Sequence, residues 1–304
     1  MKRGHRSGIV GLTLLVGACV AGCGDDSNGG SGGSGGFAGT GGAGGTGGTG
    51  GAGGTGGIAT QTVSVGGVAW GFTLPGSPYD RIAGATISVL EMPELATTSN
   101  DQGEFVIDGL AVGSEATFVL EHPDYPLTYT GTQIIPEDGI DDLTFQIPNN
   151  GLYSLIELGL EIESDPSRCQ MVSTFTRFGK TIGDPGAHGE AGAVLTIEPS
   201  ELAYQEGPIY FNDDVLPDRS RTYSSIDGGV LILNAEPGDY TLHASCVSDP
   251  VERAAFLAEY PPEDYPDGGL ACQTQDVQFE DVLMKCRAGV FVNASPSYGL
   301  QALP

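Results

Sequence analysis

The sequence contains few positive charges. It has 12 lysines and arginines against 39 aspartates and glutamates, which gives a formal net charge of −27 at pH 7. Such an acidic surface repels phosphate backbones and anionic headgroups, so nucleic acid is excluded as a partner. The charge alone indicates a soluble, solvated surface and does not establish a cation site.

Long hydrophobic runs are also lacking. The apolar run from Ile9 to Val20 is too short to span a bilayer as a helix. It follows a basic start with Lys2, Arg3 and Arg6 and leads into small residues, which is the organisation of a secretory signal. We therefore predict a signal peptide over residues 1–22.

The tetrapeptide Val20-Ala21-Gly22-Cys23 resembles the lipobox of bacterial lipoproteins. The resemblance implies cleavage before Cys23 by signal peptidase II and a diacylglyceryl group on that cysteine, which would anchor the chain in a membrane. Cys19 is the poorer candidate, because Gly17 occupies the second position of its tetrapeptide. The alternative is an ordinary secretory signal with incidental cysteines.

The lipoprotein resemblance implies a place in the cell envelope, at the outer membrane or the cell surface of a Gram-negative bacterium. Cleavage would remove the three basic residues of the signal and take the net charge from −27 to −30.

The segment from Cys23 to residue 57 has almost no side chains that could form a core. It consists almost entirely of Gly, Ser, Thr and Ala after its first residues, so we predict a disordered linker of roughly 30 Å r.m.s. reach. Two patterns within it, Gly29 to Gly33 and Gly42 to Gly47, match the G-x-S-x-G and G-x-G-x-x-G motifs. Neither lies between a strand and a helix, as both mechanisms require, so both are rejected.

The remaining cysteines contain no C-x-x-C pair of the kind that binds zinc, so no metal site is expected. Cys169, Cys246, Cys272 and Cys286 all lie in the second half of the chain, and an oxidising envelope favours disulfides. We predict the pairs Cys246–Cys272, which would close an excursion at its base, and Cys169–Cys286, which would join terminal strands. Pairing of Cys169 with Cys246 is the main alternative.

Histidines are scarce, which limits the catalytic possibilities. Beyond the signal only His122, His188 and His243 remain, and no nucleophile elbow accompanies them. His188-Gly189-Glu190 could present an imidazole and a carboxylate together, but no second histidine or cysteine pair supports a metal. We expect no catalytic residue and no cofactor.

The stretch Thr97 to Leu110 predicts a tight turn at Gly103 followed by a half-buried strand of alternating apolar residues. The whole stretch is interpreted as a β-hairpin. A second copy, Thr222 to Ala235, matches it without a gap and places Gly228 on Gly103. An ungapped repeat of turn and strand predicts two related β-domains.

The first of these domains, residues 58–148, contains about seven short strands between Gly and Pro turns, which favours a β-sandwich. It resembles the carboxypeptidase regulatory-like domain, a transthyretin-like sandwich. The resemblance rests on Gly67-Val68, Ile82 to Val89, Asp101 to Phe105, Leu110 to Gly113 and His122 to Tyr125. It implies a folding or presenting module with no chemistry of its own.

The second domain, residues 167–304, resembles the same family less closely, because two insertions break the spacing. The insertion at 247–271 contains a helix-start pattern, with Asp249, Pro250 and Glu252. The predicted helix ends at Pro261-Pro262. The connecting segment, residues 149–166, has apolar residues on one helical face, with Leu152, Leu155 and Ile156 among them, and predicts a short helix.

Lysine is absent from Ile58 to Asn150. This absence excludes, in the first domain, the Lys–Asn isopeptide cross-link of related pilin-type sandwiches. Lys180 and Lys285 leave it open in the second.

The sequence therefore predicts an all-β, lipid-anchored envelope protein whose two sandwiches serve a binding or structural role toward a protein or a polysaccharide. It predicts no enzyme. The alternative is an envelope hydrolase with an atypical site in the second domain.

Overall fold

Alternating apolar residues produce one sandwich of short β-strands in each half of the chain. The structure, a computed structural model, describes residues 61–73, 80–181, 188–265, 269–274, 277–294 and 298–304. The predicted signal peptide (1–22), the lipid site Cys23 and the linker to residue 57 lie outside the described residues.

The strands of the first half are β1 Thr62–Phe72, β2 Asp80–Arg81, β3 Thr86–Val89, β4 Met92–Thr98, β5 Glu104–Ala111, β6 Glu115–Ala116, β7 Phe118–Glu121, β8 Thr128–Thr130, β9 Gln133–Ile134 and β10 Ile140–Pro148. Helix α1, Asn150–Gly159, follows. The second half has β11 Cys169–Thr176, β12 Ala193–Glu198, β13 Glu206–Phe211, β14 Pro217–Asp218, β15 Gly229–Ala235, β16 Gly238–Cys246, α2 Pro250–Glu259, 3-10 helices Pro262–Asp264 and Ala271–Gln273, β17 Val282–Cys286, β18 Phe291–Ala294 and β19 Leu300–Gln301.

The first sandwich packs β5, β1 and β10 against β4, β3, β7 and β8. In one layer β1 pairs with β10 in parallel and with β5 in antiparallel orientation. In the other layer β3 lies between β4 and β7, and β7 continues to β8. Buried aromatic and aliphatic side chains fill the space between the layers, with Phe105, Phe118 and Phe145 among the largest. The all-β fold class is confirmed.

The second sandwich repeats this plan. In one layer β11 pairs with β18 in parallel and with β15 in antiparallel orientation, and β13 joins β15. The other layer contains β12, β16 and β17. Its core includes Phe175, Tyr240 and Phe256.

The predicted hairpin from Thr97 to Leu110 is wrong in one respect. Its turn is present, but β4 pairs with β3 in one layer and β5 pairs with β1 in the other. The turn therefore crosses between the layers as a corner. Turn residues and strand periodicity are the same for a corner and a hairpin, so the local sequence cannot separate them.

The two corners share one hydrogen-bond pattern. In the first, the Ala69 N–H donates to the carbonyl of Gly103 (2.8 Å), and the Ser99 Oγ accepts from Ala85 N–H (2.9 Å) and donates to the carbonyl of Ile82 (2.7 Å). Gly103 has a φ of 73°. A Cβ there would lie 2.5 Å from the carbonyl oxygen of Ala69.

The second corner reproduces each of these contacts. The Phe175 N–H donates to the carbonyl of Gly228 (2.9 Å), and the Ser224 Oγ accepts from Ala193 N–H (2.8 Å) and donates to the carbonyl of Glu190 (2.6 Å). Gly228 has a φ of 79°. The predicted equivalence of Gly103 and Gly228 is confirmed, and the two halves share a fold.

Both predicted helices are present with side-chain caps. The Asn149 side chain accepts from the Leu152 N–H and begins α1. The Asp249 side chain accepts from the N–H groups of Val251 and Glu252 and begins α2, with Pro250 as its first residue. Within the described residues, each helix is too short or too polar to cross a membrane.

The two sandwiches are joined edge to edge. Strand β18 pairs in parallel with β8, which makes one continuous sheet from β14 to β4. Beside this junction, the Thr132 N–H donates to the carbonyl of Leu283 (2.7 Å). Lys285, which the sequence left open as a cross-link candidate, binds Glu91 (2.6 Å) and Glu115 (3.1 Å) of the first half through its Nζ. Gly57 to Pro304 accordingly form one compact unit.

Two disulfides stabilise the second half, in the pairing that the sequence favoured. Cys169 and Cys286 connect the start of β11 to the end of β17, with 5.7 Å between their Cα atoms. Cys246 and Cys272 close the excursion that contains α2, with 5.2 Å between their Cα atoms. Both separations lie in the normal range for disulfides.

Candidate functional site

The outer faces of the two repeated sheets differ in polarity. On β5 of the first half, the outward side chains are Glu104, Val106 and Asp108, and all three are exposed. The repeat aligns these positions with Gly229, Leu231 and Leu233 of β15, which are all buried. The sheet face that is exposed to solvent in the first half is therefore buried and uncharged in the second half.

Helix α1 and the segment after it cover this apolar surface incompletely. A groove of about 370 Å³ remains between them and the sheet, and we call it the α1 groove. Its size lies at the lower end of the range for small-molecule sites. The apolar side chains that line it are Phe72, Pro148, Tyr153, Ile156, Leu160, Ile162, Val172, Phe211, Val215, Ile226, Leu231, Leu233 and Phe291.

The floor of the α1 groove is a small hydrophobic cluster separate from the two sandwich cores. Leu160, Ile209, Leu231 and Leu233 are its buried members. Val172 of β11 packs against this cluster and also against the core of the first sandwich. Leu231 and Leu233 of β15 and Val172 of β11 therefore form a strand-borne floor, and strands hold a binding surface more precisely than loops do, whereas Leu160 belongs to the end of α1.

Helix α1 forms the roof of the groove. Among the residues of α1 none is fully buried, and Leu158 on its outer side is 73% exposed. The Tyr153 hydroxyl shares a hydrogen bond with the Ser164 Oγ (2.8 Å), and burial raises the pKa of Tyr153 to about 12. Further contacts hold both ends of α1: the Asn150 N–H donates to the carbonyl of Asp124 (2.9 Å), and the Arg219 guanidinium donates to the carbonyl of Leu160 (2.7 Å). The helix therefore covers the groove as a fixed roof.

Two carboxylates and an imidazole lie close together in the groove, in addition to the polar side chains elsewhere in its lining. They belong to Asp213, Asp227 and His188. The Gly229 N–H donates to Asp227 Oδ2 (3.1 Å), and the Tyr260 hydroxyl donates to Asp213 Oδ1 (2.6 Å). Burial, and secondarily the charge of Asp213, raise the pKa of Asp227 to about 6.

Position 229 has room only for glycine. A Cβ there would lie 2.7 Å from Asp227 Oδ2 and 2.8 Å from the Phe211 ring. Any larger residue would displace one of these groups. The aromatic ring and the carboxylate therefore lie together in the groove because position 229 carries no side chain.

Glu190 lies elsewhere, beneath the excursion that carries α2. Its side chain is fully buried, and its Oε1 accepts from the Cys272 N–H (2.8 Å). Burial raises its pKa to about 6, partly offset by backbone N–H donors of Cys272 and Ala271 and by the charge of Arg177. The neighbouring His188 lines the α1 groove, so the structure does not combine the two into one site.

The other histidines have local partners. His122 Nδ1 accepts from the Asp124 N–H (3.2 Å), and its ring packs edge-on against Tyr125. His243 Nδ1 is 2.7 Å from Asp281 Oδ1 on the surface of β16. Within the described ranges, no group of three or more His, Cys, Asp or Glu side chains could hold a metal ion.

Inspection of the sequence missed the α1 groove. The signal was present in the repeat, because the charged residues Glu104 and Asp108 align with Gly229 and Leu233. A polar-to-apolar change at outward positions of a repeated strand indicates a surface that something covers.

The sequence matches no described protein family, and no curated protein matches it. Among solved structures it is similar to the Bacillus anthracis TIE protein, at 10% identity and a TM-score of 0.22 over 80% of this chain and 35% of that one. It is also similar to GBS52, the minor pilin of Streptococcus agalactiae, at 10% identity and a TM-score of 0.23 over 80% of this chain and 97% of that one. The carboxypeptidase regulatory-like family stays a prediction from motifs.

Proposed function

We propose that this chain is a lipid-anchored envelope protein that binds a ligand in the α1 groove. The observation that carries the proposal is the contrast between the two repeats. The same sheet face is exposed in the first half and carries two carboxylates, Glu104 and Asp108, whereas in the second half it carries no charge and is covered. Because only the second of the two related sandwiches has this covered apolar face, we assign the binding role to the second sandwich.

The lining of the groove supports binding in preference to catalysis. Most of its surface is hydrocarbon on fixed strands, which supplies contact area for a ligand. The protein is proposed to act without chemistry of its own, held at the outer membrane or cell surface through Cys23. Its linker would separate the sandwiches from the lipid.

The chemistry of the floor also bears on the kind of ligand. A polysaccharide would place hydroxyl groups against Leu231 and Leu233, where they would lose hydrogen bonds to water without replacement. An apolar ligand, or an apolar part of a partner protein, suits this surface better.

Binding of a neutral apolar fluorophore, phenylnaphthylamine, tests the proposal. We expect the full chain to bind it, and Val172→Trp to weaken binding by about tenfold or more because the indole fills the groove. Val106→Trp is the matched control, since Val106 is 56% exposed on the uncovered sheet of the first half.

Equal binding by the wild type and Val172→Trp, with near-UV circular dichroism unchanged, would place the probe outside the groove. Failure of the folded wild type to bind the probe would contradict the proposed function.

A further inference from the structure

The α1 groove is chemically asymmetric. Three of its lining residues are acidic, Glu157, Asp213 and Asp227, and among the described lining residues there is no lysine or arginine. Asp227 lies beside the Phe211 ring, and the charge of Asp213 is close enough to act on Asp227. The hydrocarbon floor extends from there towards Leu233 and Leu160.

We propose that the α1 groove binds a long-chain aliphatic ammonium compound, with its hydrocarbon chain on the Leu231–Leu233 floor and its cationic head between Asp213 and Asp227. The proposal rests on the proposed function, because it names the ligand class of that same groove. Charge complementarity selects the head, and the apolar floor selects the chain.

Asp213 is exposed and Asp227 is half-buried, so a cation that enters from solvent can reach both carboxylates. Two neighbouring like charges repel each other, and a cation placed between them relieves that repulsion. The raised pKa of Asp227 is consistent with this, since burial and the charge of Asp213 both disfavour its ionised form. An ammonium head would donate hydrogen bonds to these carboxylates, and charge-assisted bonds of this kind are the strong ones. The nearby Phe211 ring adds a face on which a cation is attracted.

Other ligand classes fit less well. A fatty acid of the same chain length would bring its carboxylate against two aspartates, which is unfavourable. A peptide helix or strand would need more space than the groove volume of about 370 Å³, whereas this volume suits a single small molecule.

Three ligands of equal chain length test the proposal by calorimetry at neutral pH: decylammonium, decanol and decanoate. For the full chain we expect decylammonium to bind about tenfold more tightly than decanol, and decanoate to bind more weakly than either. Tetramethylammonium, which has the charge without the chain, should show no measurable binding, because general attraction to an acidic protein does not fill the groove.

Asp227→Asn should lower the affinity for decylammonium about tenfold, to that of decanol, and leave decanol unchanged. Asp101→Asn is the matched control, because Asp101 lies on the equivalent corner of the first half and is exposed. Asp213→Asn provides a second variant if Asp227→Asn does not fold, and it should reduce the same preference.

The outcomes separate the two proposals. If decanol and phenylnaphthylamine bind and Val172→Trp blocks them, but decylammonium gains nothing over decanol, the ammonium proposal is wrong and the binding role stands. If the aspartate variants leave a decylammonium preference intact, the head group lies elsewhere and the proposal is also wrong. If the folded wild type binds none of these compounds, the proposed function itself is overturned.

Discussion

At the scale of single residues, Glu190 is the main departure of the second sandwich from the first. It occupies the place of Ile82, since both carbonyls accept from the serine of their corner. The Glu190 Oε1 has the Cys272 N–H as a partner, whereas the buried Oε2 receives no hydrogen bond from the described residues. Where the first sandwich has an isoleucine, the second has a buried carboxylate that binds the Cys272 N–H of the segment containing α2. Because this carboxylate can take up a proton, the free energy of unfolding depends on pH.

The direction of that dependence follows from the raised pKa. Glu190 titrates at about 6 in the folded protein, against 4.5 for an ordinary glutamate, so the folded state binds its proton more tightly than the unfolded chain does. Its ionisation therefore costs stability that is lost as pH rises from about 4.5 through 6 and regained as pH falls back through that window. A shift of this size corresponds to about 2 kcal/mol.

We predict that Glu190→Gln removes this contribution. The free energy of unfolding in denaturant, with disulfides intact, should rise between pH 7 and pH 5 in the wild type and rise by about 1 kcal/mol less in Glu190→Gln, because at pH 5 the unfolded chain is still mostly ionised at this position. Glu201→Gln, at an exposed position, serves as the control and should follow the wild type. Parallel curves for Glu190→Gln and the wild type would show that Glu190 does not titrate in this range.

At the scale of elements, the two corners are the most closely repeated parts of the molecule. At each corner the chain crosses from one layer to the other. The serine hydroxyl of the corner forms two hydrogen bonds with the backbone just before β3 in the first half and just before or at the start of β12 in the second. The close approach of Gly103 to Ala69 and of Gly228 to Phe175 leaves no room for a side chain. The corner therefore depends on glycine for both its backbone conformation and its packing.

We predict that Gly103→Ala and Gly228→Ala each cost about 3 kcal/mol of unfolding free energy, because the added methyl meets backbone that cannot move away. Gly113→Ala is the control for the backbone term alone, since Gly113 has a φ of 78° and open space around it. It should cost about 1 kcal/mol. Denaturant unfolding of the three variants checks the difference, and equal costs would remove the packing explanation.

At the scale of the whole molecule, the predicted lipid on Cys23 decides where the two sandwiches are held. We predict that Cys23→Ser releases the protein from the membrane fraction, because an unmodified signal leaves no acyl chains to anchor it. Mass spectrometry of the mature N-terminus should find an acylated Cys23 in the wild type. Cys19→Ser is the matched control and should remain in the membrane.

An unmodified N-terminus beginning at another residue would contradict the anchor. So would a Cys23→Ser protein that stays with the membrane fraction.

Much of the fold could be predicted because its signals are local. Alternating residues such as Phe105 and Ile107 indicated strands, and Asn149 and Asp249 lie where helices begin. The disulfide pairing followed from where each cysteine falls relative to strands. The strands and helix starts depend on a few neighbouring residues. The disulfide pairing joins residues 117 positions apart, and the sequence favoured it only over the alternative of Cys169 with Cys246.

What could not be predicted depends on distant parts of the chain. The junction of β8 with β18 joins segments more than a hundred residues apart through three residues each, and nothing in either segment marks its partner. The groove required a comparison of outward positions between repeats, and it brings Asp213 and Asp227 together from separate loops. Only the folded arrangement of the second sandwich places these carboxylates at one site.

The Cys169–Cys286 bridge also determines how this chain would respond to mechanical force. It joins residues 117 positions apart, close to the two ends of the second sandwich. Tension applied between an N-terminal anchor and the C-terminus would pass across the bridge and would not reach the enclosed segment. That segment, drawn straight, would measure on the order of 400 Å. While the bridge is oxidised, the second sandwich adds almost no extensible length to the chain, and extension would fall on the parts before Cys169. Reduction of this bridge, together with Cys246–Cys272 inside the enclosed segment, would release the hidden length.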